Sequence, residues 1–155
     1  MEKEITMVPT KTNKPQLPYP AEKLIPHRPP MLLIDQLVQR SDDRITATAT
    51  TSFGGKLLFQ VPKGQPSAEL FIEIIAQTAA ASKGFDDLTD DKQPKAGFLV
   101  GLDEFLIKDI PIPEAPLISE IKEVFKLGNI TIFKGKLFCN EQLLASGKIQ
   151  VWEES

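Results

Sequence analysis

The feature that most constrains this chain is the stretch from Ala68 to Lys83. Ala68, Leu70, Phe71, Ile72, Ile74, Ile75, Ala76, Ala79, Ala80 and Ala81 cover most of a helical circumference. Only Glu69, Glu73 and Gln77, spaced by four, line up as one narrow polar seam. Ser67 stands where an N-cap is expected and Gly84 where a left-handed terminator would end the helix. A helix apolar nearly all round is a buried helix, so the rest of the chain has to wrap it.

The remaining segments supply the wrapping. Met31 to Gln39 reads as a mostly buried strand, and Ile45 to Ser52 alternates Ile45, Ala47 and Ala49 against Thr46, Thr48 and Thr50. Gly54-Gly55 breaks that strand, and a loop containing Pro62 and Gly64 leads to the helix. An acidic loop over 86–91 follows the helix. Ala96 to Lys108 is a further strand, and the prolines Pro111, Pro113 and Pro116 mark a connection. Leu117 to Leu127, Ile130 to Cys139 and Leu143 to Trp152 read as successive antiparallel strands, joined at Gly128-Asn129 and Asn140-Glu141. The expected class is α+β: an antiparallel sheet around one long central helix.

Length fits a single domain of 155 residues. Residues 1–20 are polar and proline-punctuated and read as a flexible arm ahead of the domain at 21–155, with a short helical turn over Ala21 to Ile25. Several function classes drop out. The net charge is -3, from 18 basic and 21 acidic residues, which argues against nucleic acid as a partner. One histidine and one cysteine make neither a zinc site of His and Cys nor a disulfide, and no metal or cofactor is expected. No apolar run is long enough for a membrane span, and the first residues lack the order of a signal peptide, so a cytoplasmic location is expected.

Two segments carry a family resemblance. Ile25-Pro26-His27-Arg28-Pro29-Pro30-Met31-Leu32-Leu33-Ile34-Asp35 resembles the Leu-Pro-His-Arg…Leu-Leu-Val-Asp opening of the hotdog-fold 3-hydroxyacyl-ACP dehydratases of the FabZ type. Phe71-Ile72-Glu73-Ile74-Ile75-Ala76-Gln77-Thr78-Ala79-Ala80 is similar to the Leu-Glu-Ala-x-Ala-Gln-x-Ala stretch of their central helix, and 95–101 to the strand after it. FabZ-type enzymes place a catalytic histidine in a Gly-His-Phe-Pro-Gly segment before the helix. This chain has Phe59-Gln60-Val61-Pro62-Lys63-Gly64-Gln65-Pro66 there, with no histidine. It is closer to the ApeP-like branch, which also lacks that segment. The resemblance implies a hotdog fold and dehydration of a 3-hydroxyacyl thioester on ACP or CoA. It also implies a homodimer, or a higher oligomer of dimers, with each tunnel between two protomers.

Dehydration needs a base for the Cα proton, an acid for the departing hydroxyl and donors for the thioester oxygen. The resemblance makes Glu73 the acid/base carboxylate, although periodicity alone puts it on the helix's solvated stripe. His27, the one imidazole, stands either as its catalytic partner or as a structural ring fixing the proline-rich segment. Pro66, Ala68 and Glu69 mark the helix start, where free N–H groups can polarise a carbonyl. Gln77 reads as a hydrogen-bonding structural residue beside the substrate. Arg28 and Lys63 are candidates for a carrier's phosphate or acidic surface, or solvated cations. Cys139 reads as a packed strand residue. Two other readings stay open: an acyl thioesterase, or a non-catalytic acyl-binding partner subunit of a dehydratase.

Overall fold

The computed structural model describes residues 14–42, 45–51, 68–108 and 115–155. Seven strands and one long helix follow the order β1 (Tyr19–Pro20), β2 (Gln36–Ser41), β3 (Thr46–Thr51), α1 (Ala68–Thr89), β4 (Gly97–Ile107), β5 (Leu117–Leu127), β6 (Ile130–Cys139) and β7 (Gln142–Glu153). The strands form one antiparallel sheet in the order β1-β2-β3-β5-β6-β7-β4. This is the helix-and-sheet arrangement expected from the sequence. No helix among the described residues is long and apolar enough to cross a membrane.

Period-two patterning decides which strand face meets the helix. In β3, Ala47, Ala49 and Thr51 are buried while Thr46, Thr48 and Thr50 stay partly exposed. Gly128 closes the β5–β6 turn at a φ of 59°, and Asn140 and Glu141 close the next at 49° and 67°. Against the inner face, Phe71, Ile74 and Ile75 of α1 join Ile34, Leu37, Ile121, Leu137 and Ile149 in the core. Each large side chain buried there contributes about 1.5–3 kcal/mol. Gly135 and Gly147 lie opposite one another in β6 and β7. A Cβ on Gly135 would overlap the Ile75 side chain, and one on Gly147 would overlap the Phe105 ring. The paired glycines lower the floor of the sheet so that the helix and Phe105 can settle on it.

Several sequence expectations need correction. The helix does not stop at Gly84; it continues through Asp86 and Asp87 to Thr89. Gly84 instead lies where α1 crosses the backbone of Leu24, whose carbonyl any Cβ would strike. The left-handed turn falls to Asp91, at a φ of 55°. The strand expected from Met31 begins only at Gln36, as β2. The amide of Leu33 and the carbonyl of Met31 bond to the Gln77 side chain rather than to a strand, so 31–35 stays irregular while Leu33 and Ile34 are buried. Tyr19–Pro20 pairs with Leu37 and Gln36, so the polar N-terminal stretch is tied down at its end. The expected cap Ser67 and the loop over 57–65 lie outside the described residues.

The wrapping is also one-sided. Phe71, Ile75 and Thr78 are fully buried, but Ile72, Glu73 and Ala76 are half-buried and Ala80 is exposed. At the sheet's edge, β4 keeps Phe98, Val100, Leu102 and Leu106 each at least 50% exposed. The strands of one chain leave a flank of its apolar helix uncovered.

Candidate active site

The site forms where α1 meets the proline-rich segment before β2. Residues 21–25 make a 3₁₀ turn, with the amides of Leu24 and Ile25 bonding to the Ala21 carbonyl. Arg28 then folds back, donating from Nη1 to the carbonyls of Ile25 at 3.0 Å and His27 at 2.6 Å. This turn carries the His27 ring to the helix. Its Nε2 lies 3.6 Å from Glu73 Oε1, with the two side chains 30% and 36% exposed. That separation is an ion-pair distance, slightly beyond hydrogen-bond range, as is common before substrate tightens a site. His27 Nδ1 is buried and has no hydrogen-bond partner among the described residues.

Gln77 holds the arrangement together. Its Oε1 accepts from the Leu33 amide at 2.9 Å. Its Nε2 donates to the Met31 carbonyl at 2.8 Å and to Glu73 Oε1 at 3.2 Å. One side chain, 1% exposed, therefore satisfies an amide and a carbonyl of the irregular segment while orienting the carboxylate. His27 and Glu73 open into a cleft of about 520 Å³. One wall is the uncovered flank of α1, with Ala76, Ala79 and Ala80; the other is the inner face of β4, β6 and β7, with Leu99, Phe133 and Val151.

This geometry sits on a chain with clear relatives. The family model described as ApeP-like, ApeP dehydratase, matches residues 19–155. The chain belongs to the ApeP-like dehydratase family. A 3-hydroxyacyl-[acyl-carrier-protein] dehydratase FabZ from Streptococcus sanguinis is 32% identical over 133 residues, covering 83% of this chain and 91% of that protein. The FabZ of Streptococcus equi subsp. zooepidemicus is 30% identical over the same shares. Among solved structures, the dehydratase heterocomplex ApeI:P from Xenorhabdus doucetiae superposes with a TM-score of 0.74. The identity there is 18%, over 88% of this chain and 92% of that one.

In this ApeP-like chain, the residues singled out from sequence separate into groups. Glu73, His27 and Gln77 come together, from positions nearly fifty residues apart. Glu69 is exposed, one turn before Glu73, and Ala68 begins the helix. Pro66 and Lys63 lie outside the described residues. Arg28 is committed to its own segment's carbonyls, so at least one of its nitrogens serves structure. Cys139 is buried at the end of β6, and burial raises its thiol pKa, which fits a packing role.

The sequence reading missed the opposite wall. Phe98, Leu99, Phe133, Val151 and Glu123 line the cleft from strands far from the helix in sequence. Strand alternation was the available signal: Leu99, Val151, Thr131 and Lys126 are cross-strand partners on one face. Only the register shows that this face is the one turned to the helix.

Proposed function

We propose that this chain dehydrates a 3-hydroxyacyl thioester carried on acyl carrier protein, giving the trans-2-enoyl thioester and water, with Glu73 and His27 as its acid/base pair. The reading is carried by one observation: the chain's only imidazole lies 3.6 Å from the helix carboxylate, at the head of an apolar cleft. The FabZ relatives, which carry that activity in their names, supply the substrate class.

The chemistry follows from the two groups. His27 takes the Cα proton, and the Glu73 carboxyl group gives a proton to the β-hydroxyl. The C–O bond breaks, water departs and the Cα–Cβ double bond forms. The proton gained by the imidazole returns to the carboxylate across the same short gap, which restores both groups. The thioester oxygen gathers charge as the Cα–H bond breaks. The first turn of α1, at Ala68 and Glu69, offers unpaired N–H groups and the positive end of the helix dipole about 7 Å along the axis from Glu73. Gln77 keeps the carboxylate facing His27.

The assembly is part of the same proposal. Leu102 faces the inner side of the sheet, opposite buried Ile149, yet is 50% exposed, because β4 is the edge strand of the sheet among the described residues. An edge strand of 11 residues with apolar side chains on both faces is a template for pairing. A second hotdog subunit on β4, in a homodimer or in a heterocomplex like that named for the Xenorhabdus neighbour, would complete the cleft wall.

The test is to mix the purified protein with a 3-hydroxyacyl-ACP and follow loss of water by mass spectrometry while assaying free thiol. Enoyl product without thiol supports the proposal. Thiol release would make the chain a thioesterase, and no reaction, alone or with a hotdog partner, would leave an acyl-binding subunit.

A further inference from the structure

The cleft does not end in hydrocarbon. Ser82 lies on α1 nine residues after Glu73, about 13 Å along the axis and half a turn round, on the helix's sheet-facing side. It is 2% exposed, lines the cleft, and its hydroxyl has no hydrogen-bond partner among the described residues. A buried serine in a helix ordinarily bonds to the carbonyl four residues back; this one does not. Across the cleft, Glu123 sits at the bulge of β5, its amide held by the carbonyl of Ile45 at 3.0 Å. Its Oε1 is buried, also without a partner among the described residues, and Glu123 too lines the cleft. Leaving a buried carboxylate oxygen and a buried hydroxyl unsatisfied is costly, more so for the charged group.

We infer that Ser82 and Glu123 form a distal subsite that selects acyl chains bearing a hydrogen-bond donor at the far end, over plain hydrocarbon chains of equal length. The inference rests on the thioester-binding reading of the cleft. With the reacting carbons at Glu73 and His27, a chain of on the order of ten carbons reaches Ser82 when extended. A terminal hydroxyl there donates to Glu123 Oε1 and accepts from the Ser82 hydroxyl, satisfying both groups at once. A terminal methyl strips both of solvent and gives them nothing in return. Sites built around a polar group reject the apolar analogue strongly for that reason.

The experiment compares two 3-hydroxydecanoyl thioesters, one with a terminal hydroxyl and one with a terminal methyl. A 3-hydroxybutyryl thioester, too short to reach the subsite, serves as the reference. The same two long chains, as unreactive thioether analogues, are also titrated calorimetrically, so that binding is read apart from turnover. In the unaltered protein the hydroxyl-ended chain is favoured about tenfold or more in kcat/KM and in Kd. In Glu123→Leu, and to a smaller degree in Ser82→Ala, that ratio falls to one or below. Glu123→Gln, which keeps an acceptor and the side chain's shape, holds an intermediate ratio and guards against a folding artefact. Equal or better handling of the methyl-ended chain by the unaltered protein overturns the subsite. Loss of turnover on all three substrates with the binding preference intact would instead overturn the dehydratase reading and leave the subsite standing.

Discussion

The two segments that flank the cleft are opposites. Residues 25–35, on one side, have no regular structure, yet Ile25, Leu33 and Ile34 are almost fully buried. β4, on the other, is a regular strand of 11 residues whose Phe98, Val100, Leu102 and Leu106 are at least half-exposed. The irregular segment is secured because Gln77, Arg28 and the Thr50 carbonyl meet its backbone groups one by one: the Asp35 amide donates to the Thr50 carbonyl at 2.6 Å. Among the described residues, the regular strand is bonded along one side only, to β7. Regular geometry therefore does not decide what is held firmly here; the satisfaction of backbone groups from both sides does. The segment that carries His27 is finished within one chain, and the strand that walls the cleft is not.

The largest effect is expected at the junction of the two. Glu73→Gln keeps a partner for Gln77 and removes the transferable proton, so dehydration should fall by about 10²–10⁴-fold with little change in melting temperature. A variant that retains turnover within a few-fold would show that proximity to His27 is structural.

Next comes the unfinished side. Leu102→Asp places a charge in the inner half of β4 without disturbing a full set of contacts. It should convert the assembled protein to a monomer at micromolar concentration in sedimentation velocity, while denaturation of the monomer changes little. If the unaltered chain, alone or with a hotdog partner, is already monomeric, the proposed pairing at β4 is wrong.

The finished side responds the other way. Gln77→Leu removes the acceptor for Leu33 and the donor for Met31, leaving a buried amide and a carbonyl unpaired. Urea denaturation should register a loss of about 2–4 kcal/mol, with the oligomer unaffected. A loss below about 1 kcal/mol would mean that the segment holds itself. The smallest effect should be Gly84→Ala, where the added methyl forces α1 away from Leu24 at a cost of about 1–3 kcal/mol. Stabilisation instead, as helix propensity alone would favour, would show that the crossing can relax.

Much of the site was legible before any coordinates. The four-residue spacing of Glu69, Glu73 and Gln77 gave the seam, and the motif around His27 gave its partner. The seam itself proved uneven. Glu69 is exposed, Glu73 half-buried and Gln77 buried, because the irregular segment covers only the later part of the stripe. Periodicity reports which residues share a helix face, and is silent on what lies over each one. Gly84 shows the same limit. Placed after an apolar run it reads as a terminator, but the helix outlasts it, since contact with Leu24 is what requires its missing side chain.

The sequence by itself determined the elements and their order, because hydrophobic period, turn residues and one helix too apolar for water are local properties of the chain. It also determined, through its motifs, which carboxylate and which imidazole to watch. Only the tertiary structure decided that these two lie 3.6 Å apart, that Gln77 stitches an irregular segment beside them, and that Ser82 and Glu123 line the same cleft. Those relations depend on sheet register and on where a helix crosses a backbone. They are set by contacts between residues distant in sequence, which no local pattern encodes.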